Sequence, residues 1–292
     1  MYAITGITGQ VGGALARALL ADRASTRAIV RDAQKGKAWA ARGCEVAVAE
    51  MEDATALAAA FRGAEAVFIL PPPVFDPTPG YEEAWRVINA VVAASKAARP
   101  GKVVCLSTIG ADARRDNLLS QRTLLEEALS RLPLPVTFLR AAWFLENAAW
   151  DVASARESGV IHSFLMPLDK PFPMVSALDV GRVGAQLMRE TGSARRIVEL
   201  EGPRKVSPND VAAAFAKTLG RAVRAEIVPR HTWESLFRSQ GMKNPQPRIA
   251  MLDGFNEGWI TFQGDGTNTL KGRVGVDEVI ASLVAKASDR TS

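Results

Sequence analysis

Apolar residues fall in short runs separated by stretches where they recur every three or four positions, and this alternation repeats through the first half of the chain. The runs Tyr2 to Thr5, Thr26 to Val30, Glu45 to Ala49, Ala66 to Leu70, Val103 to Ser107 and Val136 to Arg140 read as strands. After the first, Val11, Ala14, Leu15, Ala18 and Leu19 fall at i, i+3, i+4, i+7 and i+8, the core face of one helix. Ala54 to Arg62 and Ala84 to Ala98 are Ala-rich and helical in pattern, and each leads into a strand. Strand and helix in alternation mark parallel crossovers, so the pattern predicts an α/β fold with a doubly wound parallel sheet.

The rhythm changes after Asn147. Pro167 to Pro173 reads as a loop, Ala177 to Arg189 as a helix and Ile197 to Glu201 as a strand. Ser207-Pro208-Asn209-Asp210 opens a further helix, and Gly264 to Gly272 is rich in glycine and asparagine. The organisation expected is a main domain over residues 1–150, to which 175–202 returns. Residues 151–174 and 203–292 make a smaller C-terminal lobe on the substrate side.

Composition narrows the classes. With 48% hydrophobic and 23% charged residues over 292 positions, long disorder is excluded and a sizeable core is affordable. The net charge of +5 comes from basic residues scattered along the chain, which argues for a solvated surface and against direct nucleic-acid binding. Cys44 and Cys105 lie in apolar stretches that read as strands, which suggests buried free thiols and a reducing compartment. With no basic leader and no long apolar segment, a soluble cytoplasmic protein without membrane contact is expected, as monomer or homodimer. His162 and His231 have no neighbours at metal-ligand spacing, so no metal is expected.

The candidate chemistry begins between the first strand and first helix, at Thr5-Gly6-Ile7-Thr8-Gly9-Gln10-Val11-Gly12. Glycines there let a pyrophosphate approach bare backbone and rest on the helix N-terminus, which is the Rossmann-type arrangement. The spacing GxxGxxG carries one residue more than the dehydrogenase GxGxxG. Arg31 ends the second strand, where an arginine accommodates the 2′-phosphate of NADP and an acid would favour NAD. Lys35 adds a second positive charge, while adjacent Asp32 keeps a ribose contact open. Glu50 and Met51 follow the third strand, where side chains flank an adenine, although solvent exposure explains Glu50 almost as well. Leu70, Pro71 and Pro72 stand at the end of the fourth strand, where cofactors lie.

Together with Arg140-Ala141-Ala142-Trp143-Phe144-Leu145-Glu146-Asn147 and Met174-Val175-Ser176-Ala177-Leu178-Asp179-Val180-Gly181, these features resemble the NmrA-like branch of atypical short-chain dehydrogenases/reductases. The proline usual after the strand-ending arginine is replaced by Ala141. The resemblance implies NADP(H) held by Gly6, Thr8, Gly9, Gln10, Val11 and Arg31, with Lys35 as a basic partner. It places Ser107-Thr108-Ile109-Gly110 beside the nicotinamide ribose. It also implies either reductases of quinones, azo dyes and plant phenolics or redox sensors without catalysis.

A typical short-chain reductase uses Tyr-x-x-x-Lys to protonate an alkoxide. Neither Tyr2 nor Tyr81 starts that motif, so carbonyl reduction by the dyad is excluded. Related reductases often carry a His or Lys near Arg122. Arg122 is a poor proton donor that could orient an anionic substrate, or could simply pair with Glu126 at i+4. Hydride transfer to a stacked acceptor needs no dedicated acid. Trp143 and Phe144 are candidates for an aromatic wall, and Thr108 and Asn147 for hydrogen bonds, with plain core as the other reading of the aromatics. The expectation is an NADPH-dependent oxidoreductase acting on a small aromatic acceptor, with a non-catalytic NADP(H)-sensing regulator as the alternative.

Overall fold

A computed structural model describes residues 1–192, 195–264 and 269–288. The chain begins β1 (Tyr2–Ile4), α1 (Gln10–Ala21), β2 (Thr26–Val30), α2 (Ala33–Ala40), β3 (Glu45–Val48), α3 (Ala54–Phe61), β4 (Ala66–Ile69), α4 (Glu82–Ala98), β5 (Val103–Thr108), α5 (Ser120–Leu129) and β6 (Val136–Ala141). There follow β7 (Trp143–Phe144), a 3-10 segment Leu145–Asp151, α6 (Val152–Glu157), β8 (Val160–Ser163), β9 (Met174–Val175), α7 (Ala177–Arg189) and β10 (Arg196–Glu201). Then come α8 (Pro208–Leu219), β11 (Arg224–Ile227), α9 (Trp233–Ser239), α10 (Gln246–Glu257), β12 (Leu270–Lys271) and α11 (Val276–Ser288).

Eight parallel strands form one sheet in the order β12-β10-β6-β5-β4-β1-β2-β3. The chain winds outward from β1 through β2 to β3, then resumes at β4 on the other side and winds away from it. The order therefore reverses between β1 and β4, and the carboxyl ends of these two strands open the crevice where such folds bind ligands. One face is covered by α1, α2 and α7, the other by α3, α4 and α5. The α1–α7 contact is close because Gly181 lies where a Cβ would come within 2.5 Å of Ala14 Cβ and 2.7 Å of Val11 O. Only a glycine permits that approach.

A third apolar cluster joins α8, α9, α10 and α11 around the fully buried Phe215, Trp233 and Phe237. It is laced to the sheet's carboxyl edge: Leu118 N donates to Pro247 O at 2.8 Å, and Asp76 accepts from Lys243 N and Asn244 N at 2.8 and 2.7 Å.

The sheet strands match the expected runs to within one residue at each end. Cys44 precedes β3 and does not lie in it, because Glu45 is the first residue to pair with β2; both cysteines are buried and free. The short strands β7, β8, β9 and β11 had no periodic signal to announce them. Within the glycine-rich stretch Gly264 to Gly272, Leu270–Lys271 adds an edge strand beside β10. Residues 265–268 of that stretch lie outside the described residues.

Candidate functional site

The crevice is built from the end of β1. Thr5 is buried, and its hydroxyl donates to Phe68 O at 3.0 Å and accepts from Leu70 N at 2.8 Å, which locks β1 to β4. Gly6 turns the chain at φ +64°, and Leu70 packs beneath it. At Gly12 a Cβ would stand 2.3 Å from Gly6 O, so α1 lies directly against the turn. Gly9 is the N-cap of α1, with no side-chain cap and no acid in the first turn. By contrast, Asp32, Asp53, Ser176 and Ser207 cap α2, α3, α7 and α8. The first N–H groups of α1 thus meet no acceptor within the helix and carry its partial positive charge toward the crevice. Thr8, Gly9 and Gln10 are exposed there. Val11 faces the core, so it and Gly12 offer backbone only.

Arg31 directly follows β2, and Lys35 lies in the first turn of α2; both are exposed, and neither side chain has an ion pair or hydrogen bond among the described residues. Asp32 is occupied as the α2 cap, accepting from Gln34 N at 2.8 Å. Glu50 is exposed after β3 with its carboxylate unengaged among the described residues, while Met51 packs partly against the core under α3. Pro71 is buried and Pro72 half-buried at the end of β4. An anion over α1, with further phosphate toward Arg31, fits this side of the crevice.

The other side, across β5 and β6, is tied by a buried polar network. Arg140 on β6, 4% exposed, clasps Glu126 of α5 through Nε to Oε1 at 3.0 Å and Nη2 to Oε2 at 2.8 Å. Its Nη1 also donates to Asp112 and Gln263, each at 3.2 Å, and Glu199 accepts from the backbone N–H of Gln263 at 2.7 Å. Ser107 donates its hydroxyl to the same Glu126. Ser107 was a cofactor candidate, but its hydroxyl is spent on this network; Thr108, half-buried at the strand end, keeps its hydroxyl unengaged among the described residues.

Two further expectations change. Arg122 does not pair with Glu126, because Glu126 is taken from inside by Arg140 and Ser107. The Arg122 guanidinium instead reaches Pro71 O at 3.4 Å and lies near Cys105, and burial pulls its pKa down. Burial likewise pushes the Cys105 thiol up to about 12, so it is no nucleophile. Trp143 and Phe144 do not share a wall. Alternation along β7 sends Trp143 against the apolar cluster of α8 to α11, edge-on to Phe255 at 5.2 Å, and Phe144 against the cluster under α1 and α7. Asn147 is exposed in the 3-10 segment.

Tyr81 is placed structurally. Its hydroxyl lies 2.6 Å from Asp116 Oδ1 and 2.9 Å from Asn117 O, and burial together with Asp116 raises its pKa. Two exposed aromatics that the sequence did not single out, Phe75 after β4 and Trp150 in the 3-10 segment, stand with ring centres 6.3 Å apart. A broad depression of about 690 Å³ between Lys96, Arg99 and Pro133 sits at the opposite, amino edge of the sheet, away from all these groups. Among the described residues no cluster could hold a metal, and no helix is long and apolar enough to cross a membrane.

The model of the NmrA-like family matches residues 2–257. The chain is 27% identical over 260 residues to the NAD(P)H azoreductase of Xenophilus azovorans, covering 88% of this chain and 85% of that one. It is 27% identical over 245 residues to quinone oxidoreductase 2 of Escherichia coli, covering 83% and 82%. Its fold is similar to that of the NADPH-dependent quinone oxidoreductase of Escherichia coli in complex with NADPH, with a TM-score of 0.78 at 24% identity over 97% of this chain and 99% of the other.

Proposed function

The chain belongs to the NmrA-like family, and from that premise we propose that it is an NADPH-dependent oxidoreductase that reduces a small aromatic acceptor of quinone or azo type. The observation that carries the cofactor is the uncapped, glycine-lined start of α1 together with Arg31, whose side chain has no partner among the described residues. The named activities of the azoreductase and quinone oxidoreductase relatives support the acceptor class.

NADPH, when bound, supplies the hydride. The N–H groups of Gln10, Val11 and Gly12 hold the pyrophosphate, with Gly6, Thr8 and Gly9 shaping its approach, and Arg31 with Lys35 grips the 2′-phosphate. Glu50 and Met51 flank the adenine, and Leu70, Pro71 and Pro72 form the wall between the two halves of the crevice. Thr108 and Asn147 donate hydrogen bonds that orient the acceptor. Arg122, a cation with no carboxylate partner among the described residues, stabilises the negative charge that the acceptor gains. A quinone that accepts one hydride needs one proton to become a hydroquinone, and water supplies it, so the unavailability of Tyr81 is no obstacle.

The test is NADPH oxidation against a panel of quinones and azo dyes. Turnover with at least one aromatic acceptor is expected. Tight NADPH binding without oxidation by any acceptor would instead favour a non-catalytic NADP(H) sensor.

A further inference from the structure

Among the described residues, all but one of the buried and half-buried arginines reach an oxygen acceptor, Arg27 and Arg140 the carboxylates of Glu45 and Glu126, Arg122 and Arg156 the backbone carbonyls of Pro71 and Val284. Arg248 on α10 does not. It is half-buried, and among the described residues its guanidinium's only hydrogen-bond contact is from Nη1 to the thioether of Met242, at 3.7 Å. Its guanidinium carbon lies 4.3 Å from the ring centre of Phe237, 5.6 Å from Trp150 and 6.0 Å from Phe164. Aromatic faces stabilise a cation from the side, but they leave the fork of N–H donors without an acceptor, and a thioether is a weak one. Burial lowers the Arg248 pKa with nothing opposing it. A desolvated charge of this kind is costly unless something supplies the counter-charge.

Its position says what that is. Pro247, the neighbour of Arg248, accepts from Leu118 N between β5 and α5. Trp150, on which Arg248 stacks, follows β6, and Trp150 meets Phe75 of the β4–α4 loop edge-on. Phe75 and Trp150 are 52% and 69% exposed. Three separate segments therefore bring two open aromatic faces and one uncompensated guanidinium to the carboxyl ends of β4, β5 and β6. We propose that Phe75, Trp150 and Arg248 form an acceptor subsite that selects aromatic substrates carrying an anionic substituent, with the ring against Phe75 and Trp150 and the anion on the open edge of Arg248. The assignment rests on the reductase reading above.

Naphthoquinone and naphthoquinone sulfonate, matched in ring and different in charge, test it. In the wild-type protein the sulfonate has the lower KM by about tenfold, as one charge-assisted hydrogen bond provides. In Arg248→Gln that ratio collapses toward unity through KM, while kcat for the two quinones moves together; Arg248→Lys, which keeps the charge, restores part of it. Trp150→Ala, on the open rim, weakens both quinones alike. Equal kcat/KM for the two quinones in the wild type, or equal losses in Arg248→Gln, would overturn the subsite while leaving the reductase reading intact. Naphthalene sulfonate binding to the NADP-loaded protein, measured by calorimetry, needs no turnover. Binding lost in Arg248→Gln upholds the subsite even if neither quinone is reduced, and absent or Arg248-independent binding counts against it.

Discussion

Arg140 and Glu126 face each other as two parallel hydrogen bonds, Nε to Oε1 and Nη2 to Oε2, between a central strand and the helix that covers it. Both groups are withdrawn from water, so each charge depends on the other. Removing one partner from a buried pair costs about 3–5 kcal/mol, whereas replacing both with apolar residues costs far less. Glu126→Ala and Arg140→Met should each lower the denaturation midpoint strongly. The double variant Glu126→Leu/Arg140→Met should be more stable than either, as read by urea unfolding; additive losses would refute the coupling.

Gly12→Ala puts a Cβ 2.3 Å from Gly6 O and 2.9 Å from Ile7 Cα, both backbone atoms that cannot swing aside. The turn must move, at a cost of roughly 1–3 kcal/mol, and NADPH affinity should fall with it. Gly192→Ala, with nothing within 4 Å, serves as the control and should change neither calorimetric affinity nor melting temperature.

Arg31→Ala removes a group that only a 2′-phosphate would engage. NADPH should bind about tenfold to hundredfold more weakly, the equivalent of one charged hydrogen bond, and NADH should be nearly unaffected. The wild-type preference should shrink with salt, since an exposed ion pair is screened. Equal losses for both cofactors in Arg31→Ala would sink the assignment.

Tyr81→Phe loses the contacts to Asp116 and Asn117 but no proton donor for the reaction. Stability should fall by about 1 kcal/mol, with kcat for a quinone unchanged. A large loss of kcat in a protein that still melts cooperatively would make Tyr81 the acid after all.

Asp151 accepts from His162 N at 3.3 Å, yet burial raises its pKa from 3.8 to about 6. Between those values the folded protein binds more protons at this site than the unfolded chain, so its contribution makes stability fall as pH rises through the window and level off above it. Asp151→Asn keeps an acceptor without the charge. It should stabilise the protein at neutral pH by roughly 1–3 kcal/mol and remove that part of the slope. Thermal unfolding of both proteins across the window checks it; an unchanged slope would show that Asp151 titrates normally.

Local order made part of this molecule legible without a structure. Hydrophobic periodicity depends on neighbours within two turns or one strand, so β1 to β6, α1 and α7 can be read from the chain. The glycine turn and Arg31 are likewise local, set at the end of one strand and the start of the next element. What tertiary structure alone decided are relations between distant segments. Glu126 belongs to Arg140 and not to Arg122, four residues before it, because the Arg140 guanidinium on β6 meets both carboxylate oxygens while Arg122 turns to Pro71 O. Trp143 and Phe144 part company because β7 lies between two cores, and a strand's alternation serves both. Phe75, Trp150 and Arg248 carry no shared signature, since they come from three segments and meet only where β4, β5 and β6 end together. Side-chain direction and long-range contact follow from packing, and packing is a property of the whole fold.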